Sequence, residues 1–368
     1  MRTIFLPVVC ILVLLATLTA GLWPFHAPRN GVRWSSGGNG LLFGRHGSIR
    51  SAGSFATDEA QTDSACTIEI WVEPSRADAS GTILAFYRPE ARVVPFALRQ
   101  SLDDLLVQLG SQYQWRDARK SRIYAGHVFS QPRPVLLTVS SGRSGTAVYE
   151  DGTLVRQAPD FRISAGDLTG QLVVGNAPDS THTWSGQLRE LAIYSRELSA
   201  AEVAGNYAKF SRGEPRVPGR SEGAVAFYLF HEGSGNVVHN LVDSANDLVI
   251  PERFFVLHEQ FLEAPWSEYH SGWRYWKNFG VNIAGFVPLG LCFCAYFSSA
   301  RNGRRALGRT IMLGFAISLT IEVMQSYLPT RDSGTTDLFT NTLGTALGAM
   351  ACVGIMRRGW FAAQGNSQ

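Results

Sequence analysis

The chain has 368 residues, of which 45% are hydrophobic and 17% charged, and carries a formal net charge of +3. That length accommodates two domains, and the near-average composition is the mean of two unlike regions: a soluble stretch from about Gly31 to Phe254, and ends apolar enough to cross a bilayer. The small charge, with no basic face interleaved with aromatics, excludes nucleic acid as a partner.

The run Thr3 to Trp23 follows Met1-Arg2 and is almost wholly apolar, which fits a cleaved signal peptide or a retained first transmembrane helix, residues 3–23. Retention is expected. A signal peptidase needs small residues one and three positions before the cut, and Leu18-Thr19-Ala20 offers one only at the first. No lipobox cysteine follows, which argues against a lipoprotein.

From Gly31 to Phe254, short alternating runs are bounded by glycine, proline, serine and aspartate, the pattern of a β-sandwich. Thr67 to Pro74 puts Ile68, Ile70 and Val72 on one strand face, the core side, and Glu69, Trp71 and Glu73 on the other. Further runs are Thr82–Phe86, Leu105–Leu109, Val135–Val139, Ala147–Tyr149, Leu172–Val174 and Gln187–Tyr194. Glu150-Asp-Gly-Thr153 reads as a tight hairpin turn, because Asp-Gly supplies the positive φ such turns need. Cys66 stands alone in this region, so no disulfide framework can form within it. Glu69 and Glu73 are about 13 Å apart along a strand, beyond the roughly 5–9.5 Å that a glycosidase pair requires. Trp71 is expected on a solvated strand face, or as a sugar-binding platform with its polar neighbours. Asp243, Asn246 and Asp247 could be Ca2+ ligands or turn residues, and no other cofactor is expected.

Three stretches here resemble the laminin-G or concanavalin A-like jelly roll: Cys66-Thr-Ile-Glu-Ile-Trp-Val-Glu-Pro74, Val148-Tyr-Glu-Asp-Gly-Thr153, and Trp184 to Val203. A fourth, Ala226 to Gly235, looks like that family's opening strand but follows the last strand, and it has His231 where an acid is usual. The resemblance implies a permuted order, with Gly223 to Ile250 completing the sheet beside the strand near Gly40 to Ile49.

Three further spans are readable at about 279–297, 310–328 and 338–356. Arg301, Arg304, Arg305 and Arg309 lie between the second and third spans, Arg357 and Arg358 follow the fourth, and Arg2 precedes the first. By the positive-inside rule these places are cytoplasmic. The soluble region and the loop Pro329 to Asp337 are then extracytoplasmic, and both termini cytoplasmic. Cys292 and Cys294 lie on different faces of one apolar helix with no histidine or carboxylate beside them, which argues against a metal site.

Polar side chains in lipid are informative because a charge near the centre costs about 2.5–3.5 kcal/mol. Asn278 and Asn282, Glu322 and Gln325, and Asp337 and Asn341 each share a helix face. All six fall in the outer half of the membrane, with Arg331 on the short outer loop as a partner for Glu322 or Asp337. They form either an outward-facing polar pocket or a set of interhelical ties. Gly344 and Gly348 read as a packing step, and Pro288 as a kink.

The pattern Asn282-Ile-Ala-Gly-Phe-Val-Pro-Leu-Gly290, Ser318 to Gln325, Arg331, and Asp337-Leu-Phe-Thr-Asn-Thr-Leu-Gly344 resembles the VanZ-like family, departing at Asn278, where relatives often have an acid. The expected architecture is a mixed one: an all-β jelly roll (31–254) inserted after the first helix of a VanZ-like transmembrane bundle (274–358) of about four spans. The resemblance implies a bacterial inner-membrane protein of the cell envelope, with a link to glycopeptide (teicoplanin-type) resistance.

The pocket would bind an envelope glycan or lipid-linked precursor, and the jelly roll a sugar or an envelope protein. Alternatives are a membrane enzyme using Glu322 or Asp337 as acid or base, with Arg331 steadying an anionic headgroup, or a membrane-anchored adhesion or assembly module. The enzyme reading is not favoured, since there is no Ser-His-Asp order, metal-ligand spacing or Gly-rich phosphate loop. The orientation is tested by reporter fusions in the loop Ser299 to Gly308, which are expected to report a cytoplasmic location.

Overall fold

A computed structural model describes the chain except residues 1, 57–63, 111–120, 181, 215–216, 258–260, 269–271, 299–302, 332 and 366–368; for 2–4, 267–268, 274, 303–304 and 358–365 it describes the backbone alone. Arg301 thus lies outside the described residues. The chain forms two compact units, one made of residues 28–258 and the other of residues 1–27 together with 259–368.

The unit 28–258 is a sandwich of two antiparallel sheets. The first has the order β1 (Val32–Trp34), β2 (Leu41–Phe43), β13 (Gly186–Tyr194), β4 (Cys66–Pro74), β9 (Val135–Gly142), β10 (Gly145–Glu150) and β11 (Thr153–Ala158). Strand β14 (Ala224–Tyr228) pairs with the second half of β13, beyond the part that pairs with β2. The second sheet has the order β15 (Val237–Val238), β16 (Leu248–Val249), β3 (Ile49–Ser51), β12 (Gln171–Val174), β5 (Ser80–Arg88), β6 (Val93–Ser101), β7 (Asp104–Leu109) and β8 (Arg122–Ala125). Of the late strands, β16 runs antiparallel to the early β3, while β14 pairs with β13.

Alternation along the strands builds the core. Ile68, Ile70 and Val72 of β4 and Leu188, Leu191 and Ile193 of β13 are buried with Leu84 and Phe86 of β5 and Phe96 and Leu98 of β6. A register shift between Leu188 and Glu190 lets both Leu188 and Leu191 face inward from one strand. The β10–β11 turn has φ of 50° at Asp151 and 78° at Gly152, as its sequence requires. Burial pushes the Cys66 thiol up to about 12, so it stays protonated.

The opposite face of β4 differs from the solvated surface its sequence suggests. Glu69 is only 1% exposed, because helix α2 (Ala200–Ser211) lies over this face of the first sheet. Val203 of α2 is buried with Tyr149, Ala192, Tyr194 and Phe227. The segment leading into the helix is held by Thr67, whose Oγ1 donates to the Arg196 carbonyl (2.8 Å) and accepts from the Leu198 N–H (3.1 Å). The helix begins with a capping box between Ser199 and Glu202.

In the other unit, α1 (Arg2–Leu22), α4 (Trp273–Ser298), α5 (Gly303–Gln325) and α6 (Thr335–Gly365) follow the four apolar segments, and a short α3 (Pro265–Glu268) precedes α4. All four long helices are long and apolar enough to cross a membrane. Glycines set the spacing of α4 and α6. A side chain at Gly344 or Gly348 would meet the carbonyls of Ile283 or Val287, and one at Gly290 would meet the Thr345 carbonyl. Backbone therefore rests on backbone, as small-xxx-small contacts allow. Helix α1 joins through Leu22, which is buried with Phe286 and Ile321.

Glu202 is held down to about 2 by hydrogen bonds from Arg196 and from the Ser199 backbone and hydroxyl, against 4.5 ordinarily. The Ser199→Ala variant is expected to lose about 1 kcal/mol in chemical denaturation. The folded-state value is depressed, so the stability advantage over Glu202→Gln should be full above about pH 4.5 and vanish as pH falls through about 2, read from melting temperatures across that range.

Candidate functional site

The polar residues of the spans gather, except Asn278, where α1 and α5 end and α6 begins, some serving a helix terminus and others tying helices together. The last turn of α1 leaves carbonyls without intrahelical partners. Gln325 Nε2 donates to the Gly21 carbonyl at 2.7 Å. Arg331 donates to the Trp23 carbonyl, from Nε at 3.1 Å and also from Nη2. The sequence suggests Glu322 or Asp337 as the partner of Arg331, but its hydrogen bonds go to α1, whose terminal carbonyls are concentrated acceptors carrying the negative end of the helix dipole.

At the start of α6 the signs reverse. Glu322, 1% exposed, accepts the Gly334 N–H at 3.0 Å, which places a carboxylate on the positive end of that helix. Asp337 lies in the first turn of α6 and accepts from Asn282 Nδ2 of α4 at 2.7 Å. One turn deeper, Asn341 Nδ2 donates to Ser318 Oγ at 3.0 Å, joining α6 to α5.

The structure thus brings Asn282, Glu322, Gln325, Arg331, Asp337 and Asn341 to one end of the bundle. It leaves Asn278 out: that residue is exposed, one turn before Asn282 on the part of α4 that runs past the cluster. Two side-chain oxygens of the cluster, Gln325 Oε1 and Asn341 Oδ1, are buried with no hydrogen-bond partner among the described residues. Ser318 and Thr345, both fully buried, were not singled out from sequence. The signal was present, since Ser318 lies four residues before Glu322 and Thr345 four after Asn341, on the same helix faces.

Large aromatic side chains are exposed at the same end: Trp23, Trp266, Trp273, Trp276 and Tyr327. The described arginines of the opposite end, Arg305, Arg309 and Arg357, are also exposed.

In the sandwich, Trp71 is not an open platform. Its ring packs edge-on against Phe210 of α2, and the Arg189 guanidinium lies 5.0 Å from its centre. Glu69 accepts from Thr138, Tyr194 and Asn206, and Glu73 pairs with Arg189 at 2.9 Å, so both carboxylates hold structure. Asp243 accepts the Ala245 N–H and pairs with Arg220, while Asp247 accepts the Asn240 N–H and pairs with His239; these are turn ties. Asp103, Asp104 and His127 have potential metal-ligand atoms within 4.8 Å of one another. These three are tied among themselves, His127 Nδ1 to Asp103 at 2.7 Å and the His127 N–H to Asp104 at 3.0 Å.

Residues 46–204 match the concanavalin A-like lectin/glucanases superfamily model, and residues 224–357 match the VanZ/LLP1 model. The chain carries a VanZ/LLP1 region and a concanavalin A-like domain. The VanZ/LLP1 match opens inside the sandwich, at β14, and continues through three of the four long helices. Together with those helices, it makes the chain a membrane protein.

Among solved structures, a candidate carbohydrate-binding protein from Bacteroides ovatus is similar at 12% identity and a TM-score of 0.39, over 63% of this chain and 62% of that one. The binding domain of botulinum neurotoxin DC, solved with rat synaptotagmin II, is similar at 12% identity and a TM-score of 0.36, over 49% of this chain and 45% of that one. The chain thus spans less than half of the neurotoxin chain and under two thirds of the Bacteroides one. No curated protein matches the chain.

Removing the Glu322 carboxylate leaves the α6 terminus unsatisfied in an apolar medium. Glu322→Ala is expected to destabilise the detergent-solubilised protein by about 2–3 kcal/mol. Asn278→Ala should change it by less than about 0.5 kcal/mol, both read by thermal unfolding.

Proposed function

We propose that this chain is a bacterial inner-membrane protein of the cell envelope whose VanZ-like bundle holds part of an envelope glycan or lipid-linked precursor in its polar end. The jelly roll serves as the module recognising sugar or an envelope protein nearby. In this reading both termini are cytoplasmic, and the jelly roll and the polar end face outward.

One observation carries the proposal. Within helices of bilayer-spanning length, a buried carboxylate, Glu322, sits among amides whose oxygens Gln325 Oε1 and Asn341 Oδ1 have no partner among the described residues. A buried amide oxygen left unsatisfied costs about 1–3 kcal/mol, and a ligand bearing a hydroxyl or amide N–H recovers it. The orientation draws support from exposed arginines at the end away from the cluster and exposed tryptophans at the end that holds it, the distribution expected of a cytoplasmic and an interfacial boundary. The bonds of Gln325 and Arg331 to the end of α1 favour that helix being a retained span. A link to teicoplanin-type resistance belongs to the same proposal.

A second reading has an observation of its own: Asn282, Glu322, Gln325, Arg331 and Asn341 each bond to another helix or loop, so the cluster could serve assembly alone. The two readings separate in cells. Glu322→Gln and Asp337→Asn keep the shape and one oxygen acceptor, and should each abolish the contribution to teicoplanin tolerance or envelope integrity at unchanged protein abundance. If both variants retain the phenotype at normal abundance, the pocket is lost as a proposal and the assembly reading stands.

A further inference from the structure

The second sheet turns one face to the core and the other away from it, and the outward face near its β8 edge carries Arg99 and Arg122, neither of which has an ion pair among the described residues. Leu98, Val107 and Ile123 point inward, so Arg99, Leu106, Gln108, Arg122 and Tyr124 point outward by alternation. The register aligns them: Arg99 lies opposite Leu106, Leu106 opposite Tyr124, and Gln108 opposite Arg122. Tyr124 is 41% exposed, with the Arg122 guanidinium 6.0 Å from its ring centre.

Other described arginines of the sandwich that are partly buried have acceptors. Arg88 bonds to Thr169 and Gly166, Arg189 to Glu73, and Arg196 to Glu202. Arg99 is partly buried and has no hydrogen bond or ion pair among the described residues, and its Nε is closed off from solvent without an acceptor. Burial lowers its pKa from the ordinary guanidinium range, with Asp179 and Tyr124 opposing the shift, and an arginine side chain stays charged. Neighbouring His182 is lowered, by burial first and then by Arg99, and Asp179 acts on both groups in the opposite direction.

The Nη groups of this half-desolvated guanidinium are not closed off and carry no hydrogen bond among the described residues, so they fit an incoming oxyanion of a carboxylate or phosphate. A sugar ring needs an exposed aromatic face beside that fork, and Tyr124 supplies one. We propose that Arg99, Arg122 and Tyr124 form a site for an acidic sugar unit, its ring on Tyr124 and its anionic group between the two guanidinium groups. The inference rests on the reading that the jelly roll recognises sugar, and adds to it a location and a charge.

Calorimetric titration of the full-length protein in detergent tests it, with trigalacturonate as the carboxylate probe, glucose 6-phosphate as the phosphate probe and maltotriose as the neutral one. At least one acidic probe should bind, more weakly at high salt, and which of them does identifies the anion. Arg99→Gln and Arg122→Gln should each weaken it at least tenfold, and maltotriose should bind no better to the native protein than to either variant. Arg122 is exposed, so its variant should keep the native melting temperature even if Arg99→Gln does not. Maltotriose binding, or acidic-probe binding, that is indifferent to both substitutions overturns the site and leaves sugar recognition standing; no binding of any probe overturns both.

Discussion

Everything at the polar end of the bundle follows from the need to satisfy helix termini where water is scarce. A helix presents carbonyls without partners at its end and N–H groups without partners at its start, and in hydrocarbon each costs several kcal/mol if left alone. This chain answers with side chains of opposite character. Gln325 and Arg331 donate to the end of α1, while Glu322 accepts at the beginning of α6. The residues that resemble a pocket are therefore also the caps that hold α1, α5 and α6 in place. Capping leaves two amide oxygens, Gln325 Oε1 and Asn341 Oδ1, without a hydrogen bond among the described residues.

That convergence depends on how closely α4 and α6 approach. Gly290, Gly344 and Gly348 let the two backbones touch, which brings Asn282 within 2.7 Å of Asp337. The tie is local to that pair: Asn278, one turn away, is exposed. Sharing a helix face with a neighbour places a residue in a direction, and its depth along the packed helix decides whether anything meets it there.

In the sandwich the same alternation has two outcomes on the faces that point away from the core. On the first sheet, α2 covers the face, so Glu69 becomes an internal hydrogen-bond acceptor and Trp71 a packing residue. Near the β8 edge of the second sheet, Tyr124 and Arg122 remain exposed and Arg99 keeps an unused donor. Whether an aromatic on a strand stays open or is packed over is decided by which face receives a second layer, as Trp71 and Tyr124 show.

The four apolar segments, the insertion of a β-rich domain after the first of them, the inward set Ile68, Ile70 and Val72, and the Asp151-Gly152 turn were all legible in the residues, because each rests on a local period or a local φ preference. The expectation that Gly223 to Ile250 completes the sheets holds in part: β16 pairs with β3, whereas the stretch resembling an opening strand pairs, as β14, with β13. The helix over β4 was written in the Ser199-Ala-Ala-Glu202 capping box, but nothing local says which face that helix will cover. By itself the sequence determined which residues are polar, in which spans, and on which helix faces. Only the tertiary structure decided that Arg331 caps α1 instead of pairing with an acid, that Trp71 is covered, and that Arg99 is left unpaired, because a side chain's partner is set by what packing brings within about 3 Å of it and not by its place in the chain.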